Sequence, residues 1–383
     1  MRVNRKAAAR VASGHPWIFS SDVLDRGDAS PGDAVHVVDP GGRLLGTAHY
    51  SSTSLISLRM LSPRSETVDK EFLLGRLKSS HDYRRMVAPD TDAYRAVYAE
   101  ADQLPGLIVD RYGDCLVMQT LDQGMDLQIA VIAECLVRMF APRVIVARND
   151  AAVRSREGLP LETRILHGEV PGDIRVTMNG LSFQVDLIGG QKTGIFLDQR
   201  ENYLAAARWA RGKALDCFTC TGGFALHLAS RCETVEAVDS SAASLRAAAS
   251  NAQANGISNI HFLEANAFDL LAGHAAAGRR FRTIVLDPPA FAKSRSAVEG
   301  ALRGYREINL RALKLLEPGG VMVTCSCSHH VSEAMLLEVV AQASLDANRT
   351  VRVLERRTQA LDHPILLTVP ETHYLKCLVL QVI

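Results

Sequence analysis

The chain contains no apolar run as long as the ~20 residues that a helix needs to cross a bilayer. Its basic start, residues 1–6, lacks the apolar stretch of a secretion signal. The net charge is only +1, so affinity for a polyanion would have to come from local basic patches. Eight cysteines occur without the spacing of a disulfide framework, which is typical of reduced thiols. The composition therefore predicts a cytoplasmic protein without a membrane span.

The 383 residues are too many for one ordinary domain. Residues 1–70 alternate short apolar runs with Gly and Pro turns, which is typical of a small β-barrel. Residues 71–185 contain most of a basic amphipathic helix, predicted from Asp69 to about Ala88, then a hairpin around residues 113–114 and a strand at 144–147. In residues 186–383, five strand–helix units predict an α/β fold with a doubly wound parallel sheet.

The end of the chain departs from this alternation. Residues 351–354 and 374–382 have the pattern of strands, and no helix is predicted between them. Parallel neighbours need a crossover connection, which is usually a helix. We therefore expect one of these two strands to lie antiparallel at the edge of the sheet.

A ligand site is expected in the loop after the first strand of this sheet, between Asp216 and Phe224. Gly222 and Gly223 would let the backbone approach a ligand closely. Neither G-x-G-x-x-G nor G-x-x-x-x-G-K-[ST] occurs there, which favours an adenosine ligand without phosphates. Asp239, at the end of the second strand, suits an acceptor for both ribose hydroxyls, and the alternative is a cap for the next helix.

The pair Cys217-x-x-Cys220 has the spacing of half a zinc site. A second C-x-x-C or H-x-x-x-H partner is missing from the sequence. The pair also falls in the turn that a nucleoside would occupy. We interpret both cysteines as small apolar residues and expect no metal.

Two further segments carry the chemistry: Asp287-Pro288-Pro289 after one strand, and Cys325-Ser326-Cys327 at the end of the next. Carbon 5 of a pyrimidine is a poor nucleophile until a group adds to carbon 6, and cysteine is suited to that addition. Asp287 would bond the ring at N3 and stabilise the charge that enters it. Cys325 and Cys327 face the same side of a strand, but Cys327 lies nearer its carboxyl end. A buried structural cysteine is the alternative for either.

Over essentially its full length the chain resembles the PUA-domain-linked family of S-adenosylmethionine-dependent 23S ribosomal RNA (cytosine-C5)-methyltransferases. The likeness rests on residues 190–200, 216–224, 287–291 and 326–328, and on the end from His363-Pro364 to Tyr374-Leu375-Lys376. It implies an N-terminal PUA β-barrel, a central α+β domain, and a class I (Rossmann-like) methyltransferase domain. It also implies S-adenosylmethionine as the cofactor, 23S ribosomal RNA as the partner, and a homodimer in some members.

The resemblance further implies which residues form the site. Cys327, the nucleophile, and Asp287 would be catalytic. The residues expected beside the cofactor and the target base are Gln191, Lys192, Phe196, Asp198, Arg200, Asp216, Phe218, Gly222, Asp239, Asn266 and Asp287. Asn266 stands where an aspartate is common in the family, although an amide can still bond to the adenine edge.

Three groups of basic residues are candidates for RNA contact, with a solvated surface as the alternative, and the place of the third group just after the acid-proline motif favours RNA contact there. These groups are Arg2, Arg5, Lys6 and Arg10; Arg84 and Arg85; and Lys293, Arg295, Arg303 and Arg306.

The sequence motifs leave other functions open. An acid-Pro-Pro motif also serves N-methylation of guanine, uracil C5 needs the same thiol as cytosine, and the transferase half could be an inactive scaffold of an RNA-binding protein. The missing G-x-G-x-x-G disfavours a nicotinamide dehydrogenase.

Overall fold

The structure is a computed structural model that describes residues 1–190, 193–292 and 294–383. The chain divides into two compact units. Unit 1 contains Met1–Val176, Val185–Ile195 and Leu361–Thr372, and unit 2 contains Thr177–Gln184, Phe196–Ala360 and His373–Ile383. No helix within the described ranges is long and apolar enough to span a bilayer. The domain boundaries near residues 70 and 185 stay a prediction.

The first sheet of unit 1 has six strands in the order β2-β6-β5-β4-β1-β3. Its elements are β1 (Arg2–Val3), α1 (Arg5–Ala12), β2 (Trp17–Phe19), β3 (Val23–Asp25), β4 (Ala34–Val38), β5 (Leu44–Tyr50) and β6 (Ile56–Ser62). Asn4 begins α1, because its side chain accepts a hydrogen bond from the Ala7 amide. Ile18, Val37 and Leu58 are fully buried in the core of this sheet. The short strands predicted for this segment are confirmed.

The second sheet of unit 1 has the order β11-β10-β9-β8-β7. The elements are α2 (Lys70–Val87), β7 (Ala93–Tyr98), β8 (Leu107–Tyr112), β9 (Cys115–Thr120), α3 (Gln123–Leu127), α4 (Ile129–Phe140), β10 (Val144–Asn149), α5 (Val153–Arg156) and β11 (Glu162–Gly168). Asp69 caps α2 by accepting from the Phe72 amide, so the predicted helix is confirmed. The predicted hairpin is confirmed too, since Tyr112 pairs with Cys115 across a two-residue turn.

Unit 2 is built around a seven-stranded sheet in the order β16-β15-β14-β17-β18-β20-β19. The elements are α6 (Arg200–Trp209), β14 (Lys213–Cys217), α7 (Gly223–Ala229), β15 (Thr234–Asp239), α8 (Ala242–Ala254), β16 (Ile260–Glu264), α9 (Ala267–Ala276), β17 (Phe281–Leu286), α10 (Val298–Leu315), β18 (Leu316–Ser326), α11 (Glu333–Asp346), β19 (Val351–Arg357) and β20 (Lys376–Val382). A separate two-stranded sheet contains β12 (Arg175–Met178) and β13 (Leu181–Gln184), and the boundary between the units falls within β12. The five predicted parallel strands β14 to β18 are confirmed.

The end of the chain corrects one detail of the prediction. Strand β20 runs antiparallel to β18, but it lies second from the edge, and β19 forms the edge. The burial of the two strands explains this order. Residues 376–380 of β20 are all buried and need a neighbour on each side, whereas β19 exposes Arg352 and Arg356. Charged side chains on an edge strand oppose further pairing.

Arg84 of α2, predicted to contact RNA, is fully buried in unit 1. Its guanidinium pairs with Asp102, donates to the Arg95 carbonyl (2.8 Å), and donates to the Asp362 carbonyl (2.9 Å). These bonds join α2 to the segment Leu361–Thr372 of the same unit. The prediction of an RNA contact is therefore wrong for Arg84, whereas its neighbour Arg85 is exposed.

We expect Arg84→Met to lower the free energy of unfolding by about 3–5 kcal/mol, because it leaves the largely buried Asp102 carboxylate without its positively charged partner. The matched control is Arg85→Met on the same helix, where an exposed substitution should change stability by less than about 0.5 kcal/mol. Urea unfolding of the full chain, followed by circular dichroism, measures both. Equal midpoints for the two variants would contradict a structural role for Arg84.

Candidate active site

Many of the predicted site residues lie at or just beyond the carboxyl ends of strands β14 to β18. The sheet order reverses at β14, with β15 on one side and β17 on the other. Cys217 of β14 pairs with Leu286 of β17, and the Asp287 amide lies 3.4 Å from the Cys217 carbonyl that accepts its hydrogen bond. Doubly wound sheets bind ligands outside the strand ends at such a reversal.

The loop between β14 and α7 has a strained backbone. Phe218 and Cys220 adopt positive φ angles of 67° and 49°, and Gly222 follows with 89°. Left-handed conformations of residues other than Gly cost of the order of 1–3 kcal/mol each and cluster at ligand sites. Both this φ and the space favour Gly222, because a Cβ would be strained at that angle and would lie 2.2 Å from Cδ1 of Leu226. The loop thus has the backbone expected of a ligand-binding turn.

Asp216 is fully buried at the base of this loop. Its Oδ2 accepts hydrogen bonds from Thr219 Oγ1 (2.6 Å) and the Ala225 amide (3.0 Å). Its Oδ1 is buried and has no hydrogen-bond partner among the described residues. Burial raises the pKa of Asp216 to about 7, and the charges of Asp287 and Asp239 act in the same direction. A ligand that brings a donor and positive charge would relieve both the open acceptor and the repulsion.

Asp239 ends β15, and its half-buried carboxylate joins two backbone segments. Oδ2 accepts from the Cys220 amide (3.0 Å), and Oδ1 accepts from the Ser241 amide (2.9 Å). The cap of α8 is Ser241, whose hydroxyl accepts from the Ser244 amide, so the alternative that Asp239 caps this helix is wrong. Carboxylate oxygens have further lone pairs, which leaves Asp239 able to accept from a ligand.

Asn266 follows β16 and is exposed. Its Oδ1 caps α9 by accepting from the amides of Phe268 (2.9 Å) and Asp269 (3.4 Å). The oxygen is therefore occupied by the helix, and the Nδ2 amide is the group that remains for a ligand. An aspartate at this position would have no such donor.

Asp287 is held by a residue that the sequence did not single out. Gln199, itself buried, donates from Nε2 to Oδ2 of Asp287 (3.0 Å). The Gln199 Oε1 accepts from Asn202 Nδ2 (2.7 Å), and Asn202 Oδ1 accepts from Arg357 (3.0 Å). This chain of bonds fixes the orientation of the carboxylate. The signal for Gln199 was its place in the motif of residues 190–200.

The structure also describes three other predicted residues of the motif at residues 190–200. Asp198 is buried, and its Oδ2 accepts a hydrogen bond from the Tyr374 hydroxyl (2.6 Å). Phe196 and Arg200 flank the short turn that begins α6, and Arg200 is buried. The remaining predicted members, Gln191 and Lys192, lie outside the described residues.

The two candidate thiols differ sharply in environment. Cys325 lies within β18 opposite Cys377 of β20 and is fully buried. Burial raises the pKa of Cys325 well above its ordinary value, and Cys377 adds to the shift. Cys327 follows the last residue of β18 and is partly exposed. The prediction that Cys327 is nearer the carboxyl end is confirmed.

The structure also shows where the Cys217-x-x-Cys220 pair and the basic residues after the acid-proline motif lie. Cys217 is buried and Cys220 partly so, and the described ranges contain no group of three or more potential metal ligands. Near the acid-proline motif, Arg303 pairs with Glu299 and Arg306 with Asp346 on exposed surfaces, and Arg295 is exposed. Lys293 lies outside the described residues.

Solved structures share this fold. A protein from Streptococcus mutans described as an S-adenosylmethionine-dependent methyltransferase superposes with a TM-score of 0.85, covering 100% of this chain and 99% of the other at 19% identity. A methyltransferase complexed with S-adenosylhomocysteine (SAH) gives a TM-score of 0.87 over the same shares at 20% identity. These likenesses show the fold.

Sequence relatives and family models identify the protein family as well as the fold. Proteins named ribosomal RNA large subunit methyltransferase I are 40% identical in Shewanella denitrificans, over 96% of this chain and 95% of theirs, and 41% identical in Aeromonas salmonicida, over the same shares. Residues 1–63 match the PUA-like domain, and residues 145–370 match the S-adenosylmethionine-dependent methyltransferase family. The α/β fold with an N-terminal PUA-like domain and the S-adenosylmethionine cofactor are thereby confirmed, and the chain belongs to the S-adenosylmethionine-dependent methyltransferases.

Proposed function

We propose that this protein methylates carbon 5 of a cytosine in 23S ribosomal RNA through a covalent adduct with Cys327. The observation that carries the proposal is a partly exposed thiol just beyond β18, beside the strand whose end bears Asp287. The names of the relatives, which act on large-subunit ribosomal RNA, support the substrate class. The motif likeness supports cytosine as the base.

Cys327 acts as the nucleophile in this proposal. As a thiolate it adds to carbon 6 of the ring, the S–C6 bond forms, and the electron pair of the ring double bond moves to carbon 5. Asp287, oriented by Gln199, would in its protonated form donate a hydrogen bond to N3 of the ring and so stabilise the negative charge that enters it. After carbon 5 has been methylated, a base takes its proton, the C5–H electron pair restores the ring double bond, and the S–C6 bond breaks to release the Cys327 thiolate.

The residues around the β14 loop would hold the cofactor. Bound S-adenosylmethionine supplies a methyl group activated by a sulfonium charge. Asp239 would accept the ribose hydroxyls, Asn266 would offer Nδ2 to the adenine edge, and the open oxygen of Asp216 would take a further donor. The remaining residues proposed to line the site are Phe218 and Gly222 in the loop, and Gln191, Phe196, Asp198 and Arg200 in the preceding motif.

The RNA must reach this site as a single strand or with the target base flipped from its helix. The PUA-like domain at residues 1–63 would supply part of the RNA-binding surface. Homodimer formation stays a prediction from the family resemblance.

Replacing Asp239 by Ala should weaken S-adenosylmethionine binding by at least about tenfold, because a hydrogen bond to a charged group contributes roughly 1.5–3 kcal/mol. Isothermal titration calorimetry on the folded full chain measures the affinity. Glu338→Ala, on the exposed face of α11, is the control and should bind as the unaltered protein does. Unchanged affinity in Asp239→Ala would exclude the ribose contact.

A second prediction concerns RNA. Neutralising the exposed arginines after the acid-proline motif should flatten the salt dependence of RNA binding, by roughly 0.7–0.9 in the log–log slope for each phosphate that the protein no longer neutralises. Arg303 and Arg306 already pair with carboxylates, so the total change should stay below that expected for three phosphates. Filter binding would compare Arg295→Gln/Arg303→Gln/Arg306→Gln with the exposed control set Arg231→Gln/Arg280→Gln/Arg352→Gln. Equal slopes would show that this surface does not contact the RNA.

The assignment of Cys327 as the nucleophile can be tested by trapping its covalent adduct. Ribosomal RNA carrying 5-fluorocytosine should trap the enzyme, because fluorine cannot leave as a cation and the Cys327 adduct then persists. The unaltered protein and Cys325→Ala should both form a protein–RNA band that resists denaturation, whereas Cys327→Ala should form none. On ordinary RNA, Cys327→Ala should also lose the 5-methylcytosine product, measured by nucleoside mass spectrometry.

Other outcomes would redirect the proposal. Loss of the band only in Cys325→Ala would move the nucleophile to Cys325. Absence of a band together with a methylguanine product would favour N-methylation, which needs no covalent adduct. Formation of 5-methyluracil would keep the mechanism and change the base.

A further inference from the structure

Lys376 is the first residue of β20 and lies directly opposite Ser326, the last residue of β18. Its side chain is buried, with a residue exposure of 3%. Lysine is rarely buried without a charged partner, because removing an ammonium group from water is costly. A lysine in this position therefore calls for an interaction that stabilises its charge.

The bonds of Lys376 fix its ammonium group at the segment that contains Cys327. Nζ donates to the Ser328 carbonyl (2.7 Å) and to the Tyr374 carbonyl (2.8 Å). The ammonium group thus lies against the carbonyl of Ser328, the residue that follows Cys327. Among the described residues no carboxylate forms an ion pair with this ammonium group.

The charge that acts on Lys376 is that of Cys327. Burial lowers the pKa of Lys376 to about 8, and the Cys327 thiolate opposes that shift. The interaction is mutual: a thiolate at Cys327 favours the ammonium form of Lys376, and the ammonium form favours the thiolate.

Among the described residues, the tyrosine and carboxyl groups around this segment do not supply positive charge. Tyr305 bonds to Ser326 and to Ser328, and burial raises the pKa of its hydroxyl, which keeps it neutral. Tyr374 bonds to the Asp198 carboxylate, and its ring lies 5.6 Å from that of His329. The carboxyl groups of Asp198 and Asp287 cannot supply positive charge.

We propose that Lys376 is a positioning residue for Cys327, whose ammonium group holds the thiol in its nucleophilic thiolate form. In the activation step the S–H bond of Cys327 breaks, its proton binds Nζ of the neutral amine, and the electron pair stays on sulfur. The resulting ammonium–thiolate pair is ready to add to carbon 6. The catalytic meaning of this pair rests on the proposed function, but the pair itself exists without RNA.

The test is the pH dependence of Cys327 alkylation by iodoacetamide in the folded full chain, followed peptide by peptide with mass spectrometry. The unaltered protein should show a Cys327 pKa below the ordinary value of about 8.5. Lys376→Met should raise it by at least about one unit, so that the rate at neutral pH falls roughly tenfold. Lys213→Met, which removes an exposed charge at the far end of β14, should leave the titration unchanged.

Cys220 is an internal reference, because burial raises its pKa to about 11 and its slow alkylation should not respond to Lys376. A Cys327 pKa at or above about 8.5 in the unaltered protein would overturn the proposal, whether or not Lys376→Met folds. An unshifted titration in a folded Lys376→Met would overturn it as well. A depressed thiol pKa combined with no 5-fluorocytosine adduct would reject the cytosine mechanism and leave the Lys376–Cys327 pair standing.

Discussion

The pairing of β14 with β17 is the constraint on which the site depends. Their register places Cys217 opposite Leu286, so the two carboxyl ends finish at the same level of the sheet. The residues that follow, Phe218 and Asp287, are then neighbours although they are far apart in sequence. Strand β15 adds Asp239 on one side and β18 adds Cys327 on the other, each by the same parallel pairing.

The site keeps conformations and charges that would be unfavourable elsewhere. Two residues of the β14 loop other than Gly have positive φ, and the buried Asp216 lies within range of two further carboxylates. Such costs persist only where the surrounding structure determines them. Here the Asp216 bonds to Thr219 and Ala225 tie both sides of the loop together, so the same carboxylate that is costly to bury holds the turn in shape.

The sequence predicted the elements that local periodicity specifies and missed those that long-range contacts decide. The spacing of apolar residues predicts strands β14 to β18 and helix α2. The residues Gly113 and Asp114 predict the turn between β8 and β9. The place of β20 between β18 and β19 depends on which strand exposes charge once folded. Gln199 and Lys376 were missed as functional residues because an amide or a lysine acquires its role only from its partners, Asp287 in one case and the Ser328 carbonyl in the other.

Charge is distributed unevenly along the strand ends, and this distribution matches the two reactants. The carboxylates of Asp216, Asp239 and Asp287 collect over β14, β15 and β17, where a sulfonium cation is favoured and a pyrophosphate would be repelled. The ammonium group of Lys376 lies over β18 and β20, where it favours an anionic sulfur. If the acidic side chains and the ammonium group exchanged places, the sulfonium donor would no longer be attracted to its site and Cys327 would stay protonated. A cationic donor and an anionic nucleophile can therefore be stabilised side by side because residues of opposite charge lie next to one another along the same edge of the sheet.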